Sequence, residues 1–187
     1  MDINILKKNG LIIQWKDGLW EVKYFEHTRR PGRGGVFVKT KLKNLETGEV
    51  ITKNFIEADN FKPVELRRLS AVYLYQKGDF FSFMLLPDYE EVIIPQKVIG
   101  ENEKFLKEGQ ELEILFFENK PVNIVLPKKV ALKVVEAPEA IKGDSATGPT
   151  KIVILETGIK VSTPIFVKQG ETILINTETG QYVERVS

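Results

Sequence analysis

The sequence predicts an all-β protein made of small barrels. Three observations carry that reading. Short runs rich in Val, Ile, Phe, Tyr and Trp recur along the chain. Turn signals bearing Gly, Asn or Asp separate those runs. Only one stretch, Lys97 to Leu106, reads as a helix, and a short one.

The N-terminal part shows the pattern most plainly. Asn9-Gly10, Lys16-Asp17-Gly18 and Glu46-Thr47-Gly48-Glu49 mark turns. Between them, Leu11 to Trp15, Leu19 to Phe25, Val36 to Leu42 and Val50 to Phe55 read as strands. In the third of these, Val36, Val38, Thr40 and Leu42 alternate with Phe37, Lys39, Lys41 and Lys43. Period two puts the three lysines on one face. Four short strands in about sixty residues suggest an SH3-like barrel. Asp59-Asn60-Phe61-Lys62-Pro63 breaks the pattern and reads as a linker.

A second set follows. Leu66 to Tyr75, Asp79 to Leu86 and Glu91 to Ile94 are strands, and the helix comes next. Glu111 to Phe117 and Val122 to Leu126 then pair across Glu118-Asn119-Lys120-Pro121. Five strands and one helix suggest an OB-fold. Tyr73, Tyr75, Phe80, Phe81 and Phe83 read first as core, because a small barrel needs those rings and an acidic one repels phosphate. A base-stacking platform is the alternative reading of the same rings.

Pro127-Lys128-Lys129 marks the next boundary. Val130 to Val135, Lys151 to Glu156, Thr163 to Val167, Thr172 to Asn176 and Tyr182 to Val186 read as strands, with a long loop over 137–150. This unit is again OB-sized, so it is expected to repeat the second structurally. The expected domains are therefore 1–63, 64–127 and 128–187.

Composition excludes much chemistry. With no cysteine, there are no disulfides, thiolate nucleophiles or Cys-zinc sites. His27 is the only histidine, which excludes His clusters for metals and leaves no sensible Ser-His-Asp triad. No run approaches the about 18 apolar residues of a membrane span. Met1 to Lys8 lacks the order of a signal peptide, so a cytoplasmic protein without a membrane partner is expected. The net charge of +1 hides a polarity. Residues 1–63 carry twelve Lys/Arg against eight Asp/Glu, whereas 64–127 carry seven against eleven. A basic end and an acidic middle favour a polyanion touched mainly by the N-terminal part.

The most basic stretch is Thr28-Arg29-Arg30-Pro31-Gly32-Arg33-Gly34-Gly35-Val36. From His27 to Leu45 there are six cations and no carboxylate. Arg33, flanked by Gly32 and Gly34, is expected to be the most exposed charge on a hairpin loop, suited to a crowded phosphate-rich target. A solvated turn beside an ordinary basic strand face is the plainer reading of the same residues. The glycines do not form a P-loop, because no Gly-Lys-Ser/Thr follows and a strand comes next rather than a helix. Glu90-Glu91 reads as a solvated strand edge. Asp144, in Gly143-Asp144-Ser145, reads as a loop cap that can also hydrogen-bond RNA.

Arg30-Pro31-Gly32-Arg33-Gly34-Gly35-Val36-Phe37, followed by Lys39-Thr40-Lys41-Leu42-Lys43-Asn44-Leu45, resembles the first-domain hairpin of bacterial elongation factor P. The similarity continues through Tyr73-Leu74-Tyr75, Gly78-Asp79-Phe80-Phe81 and Phe83-Met84. It runs on through Lys142-Gly143-Asp144-Ser145, Thr157-Gly158, Val161, Pro164, Phe166-Val167 and Gly170-Glu171. It closes with Gly180-Gln181-Tyr182-Val183-Glu184-Arg185-Val186.

That resemblance implies an SH3-like (KOW-type) domain and two OB-folds arranged as an L that mimics tRNA. It implies a translation factor bound to the ribosome between the P and E sites, touching both subunits. There it would relieve stalling at consecutive prolines by holding the CCA end of the P-site tRNA. Arg33 takes the tip position. Arg29, Arg30, Pro31, Gly32, Gly34, Gly35, Lys39, Lys41 and Lys43 become the RNA-binding surround. Gly143, Asp144, Ser145, Tyr182 and Arg185 become RNA contacts of the third domain, with E-site mRNA a partner of the 143–151 loop. No cofactor and no metal are implied, the protein is expected to be a monomer, and it is not an enzyme in its own right.

Two departures from the family pattern matter. Many members carry a modified lysine at the tip. Arginine is a poor nucleophile, so lysine-type modification at Arg33 is excluded. Members with a rhamnosylated arginine typically read Ser-Gly-Arg, and this chain reads Pro31-Gly32-Arg33. A sugar-bearing tip, with its modifying enzyme as a further partner, and a bare tip both remain open. Pro31 stiffens the approach to Gly32, which suits the bare tip. The second departure is Thr147-Gly148-Pro149-Thr150-Lys151, which differs from the usual continuation of the loop. Outside this family, the alternative reading is a stand-alone OB-fold protein that binds single-stranded RNA.

Overall fold

In a computed structural model of the chain, residues 2–29, 36–86, 88–138 and 150–186 are described. They form three five-stranded sheets, so the fold is all-β.

The first sheet holds β1 (Ile12–Trp15), β2 (Gly18–Arg29), β3 (Val36–Asn44), β4 (Val50–Phe55) and β5 (Lys62–Pro63), in the order β4-β3-β2-β1-β5. The first four lie where the sequence pattern places them, though β2 runs on to Arg29 and its register shifts between Val22 and Tyr24. The fifth corrects the linker reading of 59–63. Lys62 and Pro63 pair with Gln14 and Ile13, and Phe61 just before them is buried. β5 lies at the sheet's edge, where proline's missing N–H removes no ladder bond. Ile3 and Leu6, on a short 3-10 turn, also enter this core, with Ile13, Trp20, Val22, Val38, Leu42 and Phe55. Asp2 caps that turn by accepting from the Asn4 N–H at 2.8 Å.

The middle sheet holds β6 (Arg67–Lys77), β7 (Phe80–Leu85), β8 (Glu91–Pro95), β9 (Glu111–Phe117) and β10 (Lys120–Val125), in the order β10-β9-β6-β7-β8. Between β8 and β9 the expected helix is broken in two. α1 (Gln96–Ile99) ends at Gly100, whose φ of 55° does not continue a helix, and a 3-10 segment runs on to Phe105. The third sheet holds β11 (Lys129–Glu136), β12 (Thr150–Leu155), β13 (Lys160–Pro164), β14 (Thr172–Asn176) and β15 (Tyr182–Arg185), in the order β13-β12-β11-β14-β15. Numbered within each sheet, the middle and third share one order, three-two-one-four-five, so the third does repeat the second.

β13 begins three residues before the sequence pattern suggests. The turn at Glu156-Thr157-Gly158 is tight, with the Leu155 N–H donating to Ile159 O at 3.0 Å, so pairing with β12 restarts at once. Two other turns share a finer design. Asn44 Oδ1 accepts from the N–H groups of Glu46 and Thr47, and Asn176 Oδ1 accepts from those of Glu178 and Thr179. A glycine with positive φ, Gly48 or Gly180, closes each one.

By compactness the chain divides into two units, and these do not follow the sheets. One is Met1–Leu69 with Pro95–Gly100 and Ile114–Asn123, and the other is Ser70–Ile94 with Glu101–Glu113 and Ile124–Ser187. Within the first, Lys120 Nζ lies 3.0 Å from Glu46 Oε1, and the Arg67 guanidinium sits 5.5 Å from the Phe116 ring centre. Within the second, Phe105 is buried among Val130, Leu132, Val134 and Leu155 of the third core. Lys107 Nζ lies 3.0 Å from Glu156 Oε1, beside that anchor. Among the described residues, no helix is long and apolar enough to cross a membrane.

Candidate nucleic-acid interface

The basic hairpin rests on a ribbon of β2 and β3. Their antiparallel pairing runs from Trp20↔Asn44 to Arg29↔Val36. β4 pairs with β3 only as far as Val38↔Phe55. The pairs Thr28↔Phe37 and Arg29↔Val36 therefore extend past β4. Backbone pairing up to those last residues fixes both ends of the 30–35 connection. Arg30, Pro31, Gly32, Arg33, Gly34 and Gly35 themselves lie outside the described residues, as do Gly143, Asp144 and Ser145.

β3 presents its lysines as the alternation predicts. Val38, Thr40 and Leu42 are buried, Lys39 and Lys41 are exposed, and Lys43 is half-buried on the same outer face. What alternation along one strand omits is the strand beside it. Glu26 stands opposite Lys39, with Oε2 and Nζ 3.7 Å apart. Glu21 stands opposite Lys43 and is bound to Lys23 at 2.7 Å. Only Lys41 faces uncharged neighbours on both sides, Tyr24 on β2 and Thr52 on β4. The positive face is thus thinner at its ends than the run of lysines implies, and strongest at Lys41. Tyr24 went unnoticed in the sequence because it breaks the period of its own strand.

Of the third-sheet candidates, Tyr182 packs against the core and Arg185 donates to Glu171 Oε1 at 3.0 Å. The carboxyl of Glu171 is held below its ordinary range, first by the Lys168 N–H that it accepts and then by Arg185. Arg185 retains unused donors, since a guanidinium has five N–H groups. Of the middle aromatics, Tyr73, Phe81 and Phe83 are core, whereas Tyr75 and Phe80 are exposed. Tyr75 and Ser82 hydroxyls both donate to Glu91, and these bonds hold its carboxyl below the usual range, Ser82 having the larger effect. An edge carboxylate kept ionised in this way is a poor proton shuttle at neutral pH. Among the described residues no group of acids and histidine could hold a metal ion.

Comparison with known proteins matches the whole chain in order. Residues 7–61 match the family description "Elongation factor P (EF-P) KOW-like domain" and residues 66–124 "Elongation factor P (EF-P) OB domain". Residues 130–185 match "Elongation factor P, C-terminal". An elongation factor P from Aquifex aeolicus (strain VF5) is 39% identical over 186 residues, spanning 100% of this chain and 96% of that protein. One from Treponema denticola is 40% identical over 157 residues, 84% of each chain. Among solved structures, the "Eukaryotic translation initiation factor 5A from Methanococcus jannaschii" aligns with a TM-score of 0.47 and 21% identity. That alignment covers 64% of this chain and 86% of the other.

Proposed function

The chain belongs to the elongation factor P family, translation elongation factors, and from that premise we propose that it binds the ribosome between the P and E sites. There it promotes peptide-bond formation at consecutive prolines, acting in the cytoplasm through three domains, 1–63, 64–127 and 128–187. The observation that carries this reading is the β2–β3 pairing, which runs on to Arg29↔Val36, in a chain matched to the family from end to end.

The mechanism is positioning. A prolyl acceptor and a wandering CCA end meet slowly because few of their arrangements are reactive. The Arg33 guanidinium hydrogen-bonds phosphate, ribose or base and removes some of that freedom. Holding reactants in near-attack geometry lowers the entropic part of the barrier. The ribosome supplies the catalytic groups, and no side chain of this protein needs to make or break a bond. Lys41 and Lys39 steer the ribbon toward RNA. The third sheet, with Tyr182, Arg185 and the 143–151 loop, takes the far end of the same tRNA and the mRNA beside it.

The test is synthesis of a Pro-Pro-Pro reporter in a purified translation system, with and without the protein. Wild type should relieve the stall. Arg33→Ala should fold normally, bind ribosomes and fail to relieve it. Full relief by Arg33→Ala would overturn the tip as the working part. Intact mass of the native protein decides the tip's chemistry, since added mass mapping to Arg33 would rule out the bare guanidinium.

A further inference from the structure

Tyr24 is on the surface because the ribbon is irregular. Pairing is regular at Trp20↔Asn44, Glu21↔Lys43 and Val22↔Leu42, then skips Lys23 and resumes at Tyr24↔Lys41 and Phe25↔Thr40. Lys23 is the extra residue of a β-bulge. Without it, Lys23 would stand opposite Lys41, and Tyr24 opposite Thr40, whose side chain is fully buried. The bulge turns Tyr24 outward to 55% exposure and brings Phe25 to the inner side against the core. It also replaces a lysine–lysine opposition with a tyrosine beside a lysine. Directly opposed like charges destabilise a ladder, and an aromatic beside the ammonium does not.

We propose that Tyr24 and Lys41 form a nucleotide-binding platform on the outer face of the first sheet, taking an unpaired nucleotide of ribosomal or transfer RNA. The base or ribose lies on the Tyr24 ring, and the flanking phosphate meets the Lys41 ammonium, which no opposed carboxylate screens. Thr52, exposed on the other side of Lys41, offers a hydroxyl to the same phosphate or to a ribose. An aromatic ring next to a cation is what a sequence-tolerant single-strand site requires. The charge sign selects RNA over a basic protein surface. The proposal rests on the ribosome-binding reading above and adds to it an affinity site separate from the tip.

The test places p-benzoyl-phenylalanine at position 24 and irradiates the protein on ribosomes stalled at Pro-Pro-Pro. The expected adduct is RNase-sensitive, and sequencing it shows whether ribosomal or transfer RNA is the source. An adduct to protein only, or none, overturns the platform. In parallel, Tyr24→Ala should bind those ribosomes on the order of tenfold more weakly, with relief of stalling restored at saturating protein. Tyr24→Phe should restore affinity, because the ring and not the hydroxyl does the stacking. Wild-type affinity for Tyr24→Ala overturns the platform while leaving the family reading intact. Full activity of Arg33→Ala, by contrast, would remove the tip mechanism without touching Tyr24.

Discussion

Glu26 and Lys39 face one another across the β2–β3 ribbon, Oε2 to Nζ 3.7 Å, with both side chains about half exposed. Such a pair is worth roughly 0–1 kcal/mol to the fold. Its larger effect is on the field that RNA meets, because Lys39 is already partly neutralised. Glu26→Gln should therefore tighten ribosome binding at low salt. The slope of log K against log salt should steepen by about 0.7–0.9, one added phosphate contact. Salt-titrated binding measures it. An unchanged slope would mean that Lys39 meets no phosphate.

Phe105 belongs by sequence to the segment before β9, yet it is 3% exposed within the third core. Phe105→Ala should cost about 3–5 kcal/mol. Hydrogen exchange should rise in β11, β12 and β14, whose side chains surround the ring. Lys107→Ala, which removes the neighbouring ion pair with Glu156, should cost no more than about 1 kcal/mol. Denaturant unfolding of the two variants separates these effects. Equal losses would show that charge and not packing fixes this junction.

Acid should loosen the third sheet's edge through Glu171. Its folded-state pKa lies below the ordinary 4.5, first because of the Lys168 N–H and then because of Arg185. A lowered carboxyl pKa contributes stability above the unfolded value and loses it as pH falls through the folded one. Wild type and Glu171→Gln should therefore differ most above pH 4.5 and converge below it. Thermal melts at stepped pH test this, and a constant gap across the range would refute it.

Alkali should act through Tyr73. Burial raises the phenol above its ordinary 10.0, and the charge of Glu108 adds to that. A raised phenol pKa means that the fold favours the neutral ring. Its contribution is complete below pH 10.0 and disappears as pH rises through the folded value. Tyr73→Phe should flatten the alkaline limb of the stability profile. A limb as steep as wild type would assign alkaline unfolding to other groups.

Much of this protein was legible residue by residue. Val38, Thr40 and Leu42 alternate with lysines, and side-chain period alone decides which face each takes. Glu46-Thr47-Gly48-Glu49 marks a turn where Gly48 takes positive φ, because a missing Cβ acts locally, whereas the Asn44 cap on that turn came only from the structure. The family resemblance was carried by short motifs in order, and those need no structure to be seen.

What the sequence determined by itself was therefore local: the strands, their turns, the basic hairpin and the order of the three sections. Tertiary structure alone decided that Lys62 and Pro63 complete the first sheet and that Phe105 fills the third core. It also decided that Glu26 mutes Lys39 and that a bulge at Lys23 turns Tyr24 outward beside Lys41. Each of these depends on which distant backbone lies alongside. Register between two strands is set by the packing of whole faces, and no residue reports its partner through its own neighbours in the chain.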